Sequence, residues 1–156
     1  MKNYKPIIVL FSICVIISAA LAFVNSLTKE KIEQAEREKI TLQVKSFFPE
    51  TLSFDDDAGI YTCKNGNKII GYCVITSQAG YGGDITVITA FSPEKTVVGV
   101  DILSESETPG IGKKINDRDF LAAFKENQVN TISQATISSS AVIDAVEKAK
   151  ELLGVE

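Results

Sequence analysis

A run of hydroxyl side chains stands directly before the last apolar segment of this 156-residue chain. It reads Asn130-Thr131-Ile132-Ser133-Gln134-Ala135-Thr136-Ile137-Ser138-Ser139-Ser140. From Ala141 onward apolar side chains recur at helical spacing, and Gly154 predicts the end of that helix. We expect Ser138 to Ser140 to supply the N-cap. A helix N-terminus attracts anions, so a phosphate esterified to Thr136 would be stabilised here. Taken alone, the segment is more typical of a simple cap.

Two glycine-rich segments precede this run. They are Tyr81-Gly82-Gly83-Asp84-Ile85-Thr86-Val87 and Glu107-Thr108-Pro109-Gly110-Ile111-Gly112-Lys113-Lys114. Pro109-Gly110 predicts a turn, and the glycines at 110 and 112 omit side chains where a flat ring could approach. A single Gly-x-Gly is better explained as a plain turn before a helix. The two glycine-rich segments and the hydroxyl run, in this order, form a more specific pattern than any of them alone.

In this order the motifs resemble the FMN-binding domain family. This domain is found in the G subunit of Rnf-type ion-translocating electron-transfer complexes and in the C subunit of the sodium-pumping quinone reductase. The resemblance covers residues 60 to 150 and implies that Thr136 carries FMN through a phosphoester bond. The family pattern usually reads Asp-x-x-Ser/Thr-Gly-Ala-Thr, whereas Asn130 and Gln134 stand here in place of the acid and the glycine.

The resemblance also implies which residues surround the cofactor. Around Thr136 as the covalent FMN acceptor it assigns Ser133, Ala135, Ser138, Glu107, Thr108, Gly110, Ile111 and Gly112. It assigns no catalytic residue and no metal ligand. The implied function is to relay electrons between the redox centres of partner membrane subunits, coupled to sodium or proton translocation. Such a subunit is not catalytic alone, and its maturation needs a flavin transferase.

An uncharged apolar run from Ile7 to Val24 predicts a transmembrane helix in contact with membrane lipid. Extended to Leu27, it makes roughly 30 Å of helix, which is enough to cross a bilayer core. A cleaved signal peptide is the alternative, because Lys2 and Lys5 form a basic n-region. Basic residues flank both ends, so their count does not orient the chain. The resemblance places the soluble domain on the extracytoplasmic face of the cell membrane.

The predicted fold is α+β, with one transmembrane helix and one compact FMN-binding domain built on an antiparallel-rich sheet with packed helices. We expect residues 1–6 to be a short tail, 7–27 the membrane helix, 28–48 a solvated helical stalk and 49–156 the domain. Four strands and a helix are predicted: Ile60–Cys63, Lys68–Thr76, Ile85–Phe91, Thr96–Leu103 and Asp117–Asn127. Asn65-Gly66 predicts a two-residue hairpin turn between the first two strands.

The register of this hairpin decides whether Cys63 and Cys73 can form a disulfide. If Asn65-Gly66 forms the turn, Cys63 faces Lys68 and Cys73 faces Ala58. The two thiols are then out of register, so we expect no disulfide and interpret both as small buried side chains.

Composition excludes several functions. The chain has no histidine, which removes Ser-His-Asp and Cys-His nucleophiles and imidazole metal ligands. An acidic pI near 5.0 and scattered lysines do not fit nucleic-acid binding. We interpret Asp55-Asp56-Asp57 as a solvated turn rather than a cation site.

Two other functions stay open at this point. One is a flavin domain of another extracytoplasmic reductase chain. The other is a membrane-anchored, pilin-like assembly protein without a cofactor, which would explain the apolar helix and its stalk but leave the glycine and threonine motifs without a role. Yellow protein would favour a flavin function, and colourless protein the structural one.

Overall fold

The computed structural model describes residues 4–57 and 59–155. Its elements are α1 (Lys5–Phe47), β1 (Ser53–Asp57), β2 (Ile60–Asn65), β3 (Lys68–Ala79), β4 (Asp84–Phe91), β5 (Val97–Ser104), α2 (Arg118–Ala123) and α3 (Thr136–Leu153). Short 3₁₀ helices at Gly112–Asn116 and Phe124–Glu126 flank α2. The chain forms two compact units that divide between Lys39 and Ile40. Residues 1–3 of the predicted tail and Ala58 lie outside the described residues.

The first unit consists of most of helix α1. This helix is long and apolar enough to cross a membrane by its length and composition, as the uncharged run predicts. It begins at Lys5, inside the predicted tail, and continues through the charged segment that was predicted as a stalk. It ends just before Pro49, which cannot extend a helix.

The second unit is built on a five-stranded antiparallel sheet with the order β1-β2-β3-β4-β5, so each strand pairs with the next one in sequence. Strand β4 is covered on both faces, because every residue from Val87 to Phe91 is buried, including Thr89. The predicted α+β class, with one apolar N-terminal helix and an antiparallel sheet carrying packed helices, is confirmed.

Each face of the sheet has its own hydrophobic core. On one face, Val142 and Val146 of α3 join Ile85, Val87 and Val100 of the sheet, together with Phe120 and Phe124 from the segment around α2. On the other face, Val44 of α1 packs with Cys63, Cys73, Ile88 and Ala90. Burial of both sheet faces is the main favourable term in such layered folds.

The end of α1 belongs to this second unit instead of forming a fully solvated stalk. Val44 is completely buried, and the compact unit begins at Ile40 rather than at residue 49. Two aromatic rings beside Val44 rest on glycines of the sheet, Phe47 on Gly99 and Phe48 on Gly71. Both glycines are thus positions where α1 and the sheet approach each other closely.

This packing makes Gly71 intolerant of a side chain. A Cβ at Gly71 would lie 2.3 Å from the ring of Phe48 and 2.7 Å from the backbone oxygen of Phe91. We expect Gly71→Ala to lower the free energy of unfolding by about 2 kcal/mol, since overpacking a close contact forces neighbours apart. Chemical denaturation of the full chain in detergent measures the effect. The control is Lys68→Ala at an exposed position of the same strand, which should change the free energy of unfolding by less than about 0.5 kcal/mol. Equal stability of the two variants would contradict the prediction.

The predicted hairpin register is wrong. Asn65 pairs with Lys68, so the turn residues are Gly66 and Asn67, and a bulge at Cys63/Lys64 shifts the register again. Gly66 has a φ of 64°, a conformation that glycine adopts without strain. The pairing places Cys63 opposite Gly71 and Cys73 opposite Tyr61.

The corrected register makes the two cysteines diagonal neighbours on one face of the sheet. Both are fully buried free thiols, as predicted for small core residues. Their mutual hydrogen bond lowers the pKa of Cys63 and raises the pKa of Cys73, and burial raises that of Cys73 further. The Cys73 thiol is therefore held protonated.

Two further elements differ from expectation. Asp55, Asp56 and Asp57 lie in the edge strand β1 instead of a turn, and the ammonium of Lys64 on β2 pairs with Asp55. The helix predicted over Asp117–Asn127 is divided into α2 and a 3₁₀ turn, and it ends where Asn127 takes a left-handed φ of 54°.

Candidate functional site

A cleft of about 510 Å³ opens beside the N-terminus of α3. Its walls come from the β3–β4 loop, from the segment after β5 and from the first turn of α3. Its lining residues are Tyr81, Glu107, Thr108, Ile111, Gly112, Gln134, Ala135, Thr136, Ile137 and Ser138. The structure thus brings seven of the nine predicted site residues together across long sequence separations. Ser133 and Gly110 do not line the cleft.

Helix α3 begins at Thr136, so the predicted N-cap at Ser138 to Ser140 is wrong. The three serines lie inside the helix, and no side chain caps it. The Ser139 hydroxyl donates to the carbonyl of Ala135 at 2.9 Å and accepts from the N–H of Ile132 at 3.0 Å. These two hydrogen bonds therefore connect the preceding loop to the first turn of the helix.

The Thr136 side chain is exposed at the first position of α3, on the wall of the cleft. The first N–H groups of an α-helix have no acceptor within the helix, and they carry the positive end of its dipole. Thr136, Ile137 and Ser138 supply three of them at this wall. Ala135, the residue before the helix, is buried at 4 % exposure. A phosphate ester on Thr136 would be held where an anion is most favourable.

Glu107 is a buried carboxylate that connects three segments of the site. It is 3 % exposed. Its Oε1 accepts the backbone N–H groups of Tyr81 at 2.9 Å and Gly82 at 3.1 Å, and its Oε2 accepts the hydroxyl of Ser138 at 2.8 Å. The side chain therefore joins the β3–β4 loop, the segment after β5 and the first turn of α3.

The glycines around Glu107 make room for this side chain. A Cβ at Gly80 would lie 2.3 Å from its Oε1, and one at Gly112 would lie 2.6 Å from its Oε2. Gly82 faces the backbone oxygen of Ser106 instead, 2.2 Å from where its Cβ would be. Gly110 has open space around it and a φ of 79°, so the turn itself requires glycine there. The sequence suggested that Gly110 and Gly112 leave space for a flat ring. In the structure, Gly112 makes room for Glu107 and Gly110 allows the positive φ of the turn.

Glu105 stabilises the backbone on both sides of the Pro109-Gly110 turn. Its carboxylate accepts the backbone N–H of Glu107 at 2.6 Å and pairs with the ammonium of Lys113 at 3.0 Å. Desolvation would raise the pKa of Glu105, but the Glu107 N–H and Lys113 outweigh it and hold the pKa below its ordinary value. Thr108 continues the turn, and its carbonyl accepts the N–H groups of Ile111 and Lys113.

Three exposed apolar side chains form the rim of the cleft. Tyr81 is 73 % exposed, Ile111 47 % and Ile137 57 %. Sequence reasoning named Ile111 but missed Tyr81 and Ile137 as site residues. The signal was present, since both lie within the quoted motifs and both place an apolar side chain in a polar loop or helix end. An apolar rim beside the first N–H groups of a helix suits a ligand with a flat ring and a phosphate.

Gln134 stands in a left-handed conformation with a φ of 71°. This conformation costs a residue with a Cβ about 1–2 kcal/mol. It gives a backbone reason for the glycine that the resembling family carries at this place.

We expect Gln134→Gly to raise the free energy of unfolding by about 0.5–1 kcal/mol, because relief of strain exceeds the added entropy of the unfolded chain. Thermal or chemical unfolding of the full chain measures this. Gln128→Gly is the matched control: Gln128 is exposed and has no positive φ. That change should destabilise by about 0.5–1 kcal/mol. If both variants were destabilised, the left-handed conformation of Gln134 would not be a source of strain.

Comparison with known proteins agrees with this geometry. Residues 80–151 match the FMN-binding domain family. The fold is similar to the crystal structure of NqrC from Shewanella oneidensis, with a TM-score of 0.50, 18 % identity and coverage of 64 % of this chain and 65 % of that one. The fold is therefore that of an FMN-binding domain.

Curated relatives narrow the class. The chain is 29 % identical to the G subunit of the ion-translocating oxidoreductase complex of Methanosarcina acetivorans, over 100 % of this chain and 99 % of that protein. It is 31 % identical to the protein of the same name from Haemophilus influenzae strain PittEE, over 76 % of this chain and 64 % of that protein. The chain is thus similar over its whole length to a G subunit of an ion-translocating oxidoreductase complex, and its residues 80–151 match the FMN-binding domain family.

Proposed function

We propose that this protein is the membrane-anchored electron-transfer flavoprotein subunit of an Rnf-like complex, with FMN esterified to Thr136. The observation that carries the proposal is the exposed Thr136 hydroxyl on the cleft wall, beside the first N–H groups of α3. Relatives are named as subunits of ion-translocating complexes, which supports the role of electron carrier.

The residues of the chain have separate tasks in this function. The Thr136 oxygen forms the ester, and the N–H groups at the start of α3 stabilise the phosphate. Tyr81, Ile111 and Ile137 provide apolar contact for the ring. FMN itself supplies one- and two-electron chemistry, so the protein need only hold the ring and set its electrostatic surroundings. This agrees with a carrier subunit that is not catalytic alone.

Membrane placement completes the proposal. Helix α1 would span the membrane once, in contact with lipid, with the flavin domain on the extracytoplasmic side. The covalent ester would keep FMN from dissociating there. Partner subunits with their own redox centres would exchange electrons with the flavin, coupled to sodium or proton movement. Protease protection in right-side-out and inverted vesicles tests the orientation, because only the exposed domain should be digested.

The attachment is tested by mass spectrometry. The full chain is produced with a flavin transferase, denatured and digested with trypsin. We expect the mass of one FMN less one water on the peptide of residues 126–148, with fragment ions placing it on Thr136. The control is the same chain produced without the transferase, which should carry no added mass. An unmodified peptide from both preparations would refute the attachment and favour non-covalent flavin, if the protein is yellow, or a pilin-like assembly role, if it is colourless.

A further inference from the structure

Glu107 places a negative charge inside the wall of the FMN cleft. Both of its oxygens accept hydrogen bonds, which is the arrangement expected of an ionised carboxylate. None of the salt bridges within residues 4–57 and 59–155 involves Glu107. The nearby Lys113 pairs with Glu105 instead. The charge is thus stabilised by two backbone N–H groups and one hydroxyl, but it is not neutralised by a counter-charge.

The surroundings of Glu107 hold this charge in one place. Three hydrogen bonds, from the N–H groups of Tyr81 and Gly82 and from the Ser138 hydroxyl, fix both carboxylate oxygens, and the backbones of Gly80 and Gly112 lie against them. Ser138 is only two residues from Thr136 in the first turn of α3. The carboxylate therefore has a defined position relative to the attachment point of the flavin.

We propose that the fixed charge of Glu107 lowers the reduction potential of the flavin carried on Thr136. This inference rests on the proposed function and assigns a task to a residue that would otherwise only join loops. Electrons added to the ring bring negative charge into the cleft. A fixed negative charge in a buried, weakly polarisable wall raises the energy of the reduced form relative to the oxidised one. The protein thereby tunes the flavin electrostatically.

Glu107→Gln separates this role from a purely structural one. Glutamine keeps the shape of the side chain and its carbonyl acceptor for the N–H groups of Tyr81 and Gly82, but removes the charge. We expect the midpoint potential of the full-length flavinylated chain to become more positive. Spectroelectrochemical titration measures it, with the electrode supplying two electrons per flavin and the buffer supplying protons. An unchanged potential in flavinylated Glu107→Gln would overturn the inference.

Glu94→Gln is the matched control. Glu94 is fully exposed in the turn that follows β4, whereas Glu107 is buried in the segment that follows β5. Solvent screens an exposed charge, so the potential of this variant should equal that of the wild type. An equal positive shift in both variants would also overturn the inference, because the effect would then not depend on the buried position.

Ser138→Ala gives a second measurement if Glu107→Gln fails to fold. This change keeps the charge and removes one of its three hydrogen-bond donors, so we expect a more negative potential. No shift, or a positive one, would contradict the inference. The mass measurement on the wild type distinguishes the two proposals. Absence of FMN from the wild type overturns the proposed function and this inference together, whereas a flavinylated chain with an insensitive potential overturns the inference alone.

Discussion

Thr136→Ala is expected to abolish covalent FMN attachment completely while leaving the fold intact. The substitution removes the oxygen that forms the phosphoester. It should change the free energy of unfolding by less than about 0.5 kcal/mol, because the exposed Thr136 side chain makes no capping hydrogen bond. Intact-protein mass spectrometry after production with the flavin transferase measures attachment, and thermal unfolding measures the fold.

Two variants show whether this effect is specific to the Thr136 oxygen. Thr131→Ala removes another exposed threonine hydroxyl from the same motif and should retain full modification. Thr136→Ser keeps an oxygen at the same position and should retain modification to a measurable extent. Covalent FMN on folded Thr136→Ala would mean that a neighbouring hydroxyl is the acceptor, and the assignment would be wrong.

Gly112→Ala is expected to damage the cleft and lower the free energy of unfolding by about 3 kcal/mol. The added methyl group would meet the Oε2 of Glu107 at 2.6 Å and its Cβ at 2.8 Å. Because the carboxylate is enclosed, it must move, and its bonds to Tyr81, Gly82 and Ser138 weaken together. Chemical denaturation measures the stability, and the flavin absorbance of the purified chain measures the attached cofactor, which should fall in parallel.

Gly110→Ala is the matched control in the same turn. A Cβ there meets no atom within 4 Å, but the φ of 79° remains strained for alanine. We therefore expect a cost of about 1 kcal/mol and a smaller loss of flavin. Equal effects of the two substitutions would mean that backbone conformation, and not contact with Glu107, explains both glycines.

Most elements of the fold are predictable from local patterns. The uncharged run identifies α1, alternating and apolar stretches identify β2 to β5, and the helical spacing after residue 140 identifies α3. The hairpin register is not predictable in this way. Asn-Gly marks a turn without specifying which residues occupy its centre, and the bulge at Cys63/Lys64 depends on how both sheet faces pack. The displaced turn and the bulge together changed the pairing of both cysteines.

The site is predictable as a set of motifs but not as an arrangement. Most of the residues named from the resemblance do line one cleft, among them Thr136, Glu107 and Ile111. Gly110 does not line the cleft; its positive φ forms the turn. Tyr81 does line the cleft, but an exposed tyrosine in a loop does not by itself indicate a binding site. The serines before Ala141 were misread as a cap, because a hydroxyl near a helix end can equally bond to a loop that the sequence does not place.

The sequence by itself determined the composition limits, the long apolar N-terminal helix, the α+β class and the helical spacing of the last apolar segment, since these depend on composition and on spacing along the chain. The start of the last helix at Thr136 was decided by the tertiary structure. Only the tertiary structure decided that Glu107 is buried, that Gly80 and Gly112 make room for it, and that α1 ends inside the domain core. These features depend on contacts between segments far apart in sequence. Such contacts are set by how the sheet faces, loops and helices pack together, and no local pattern encodes them.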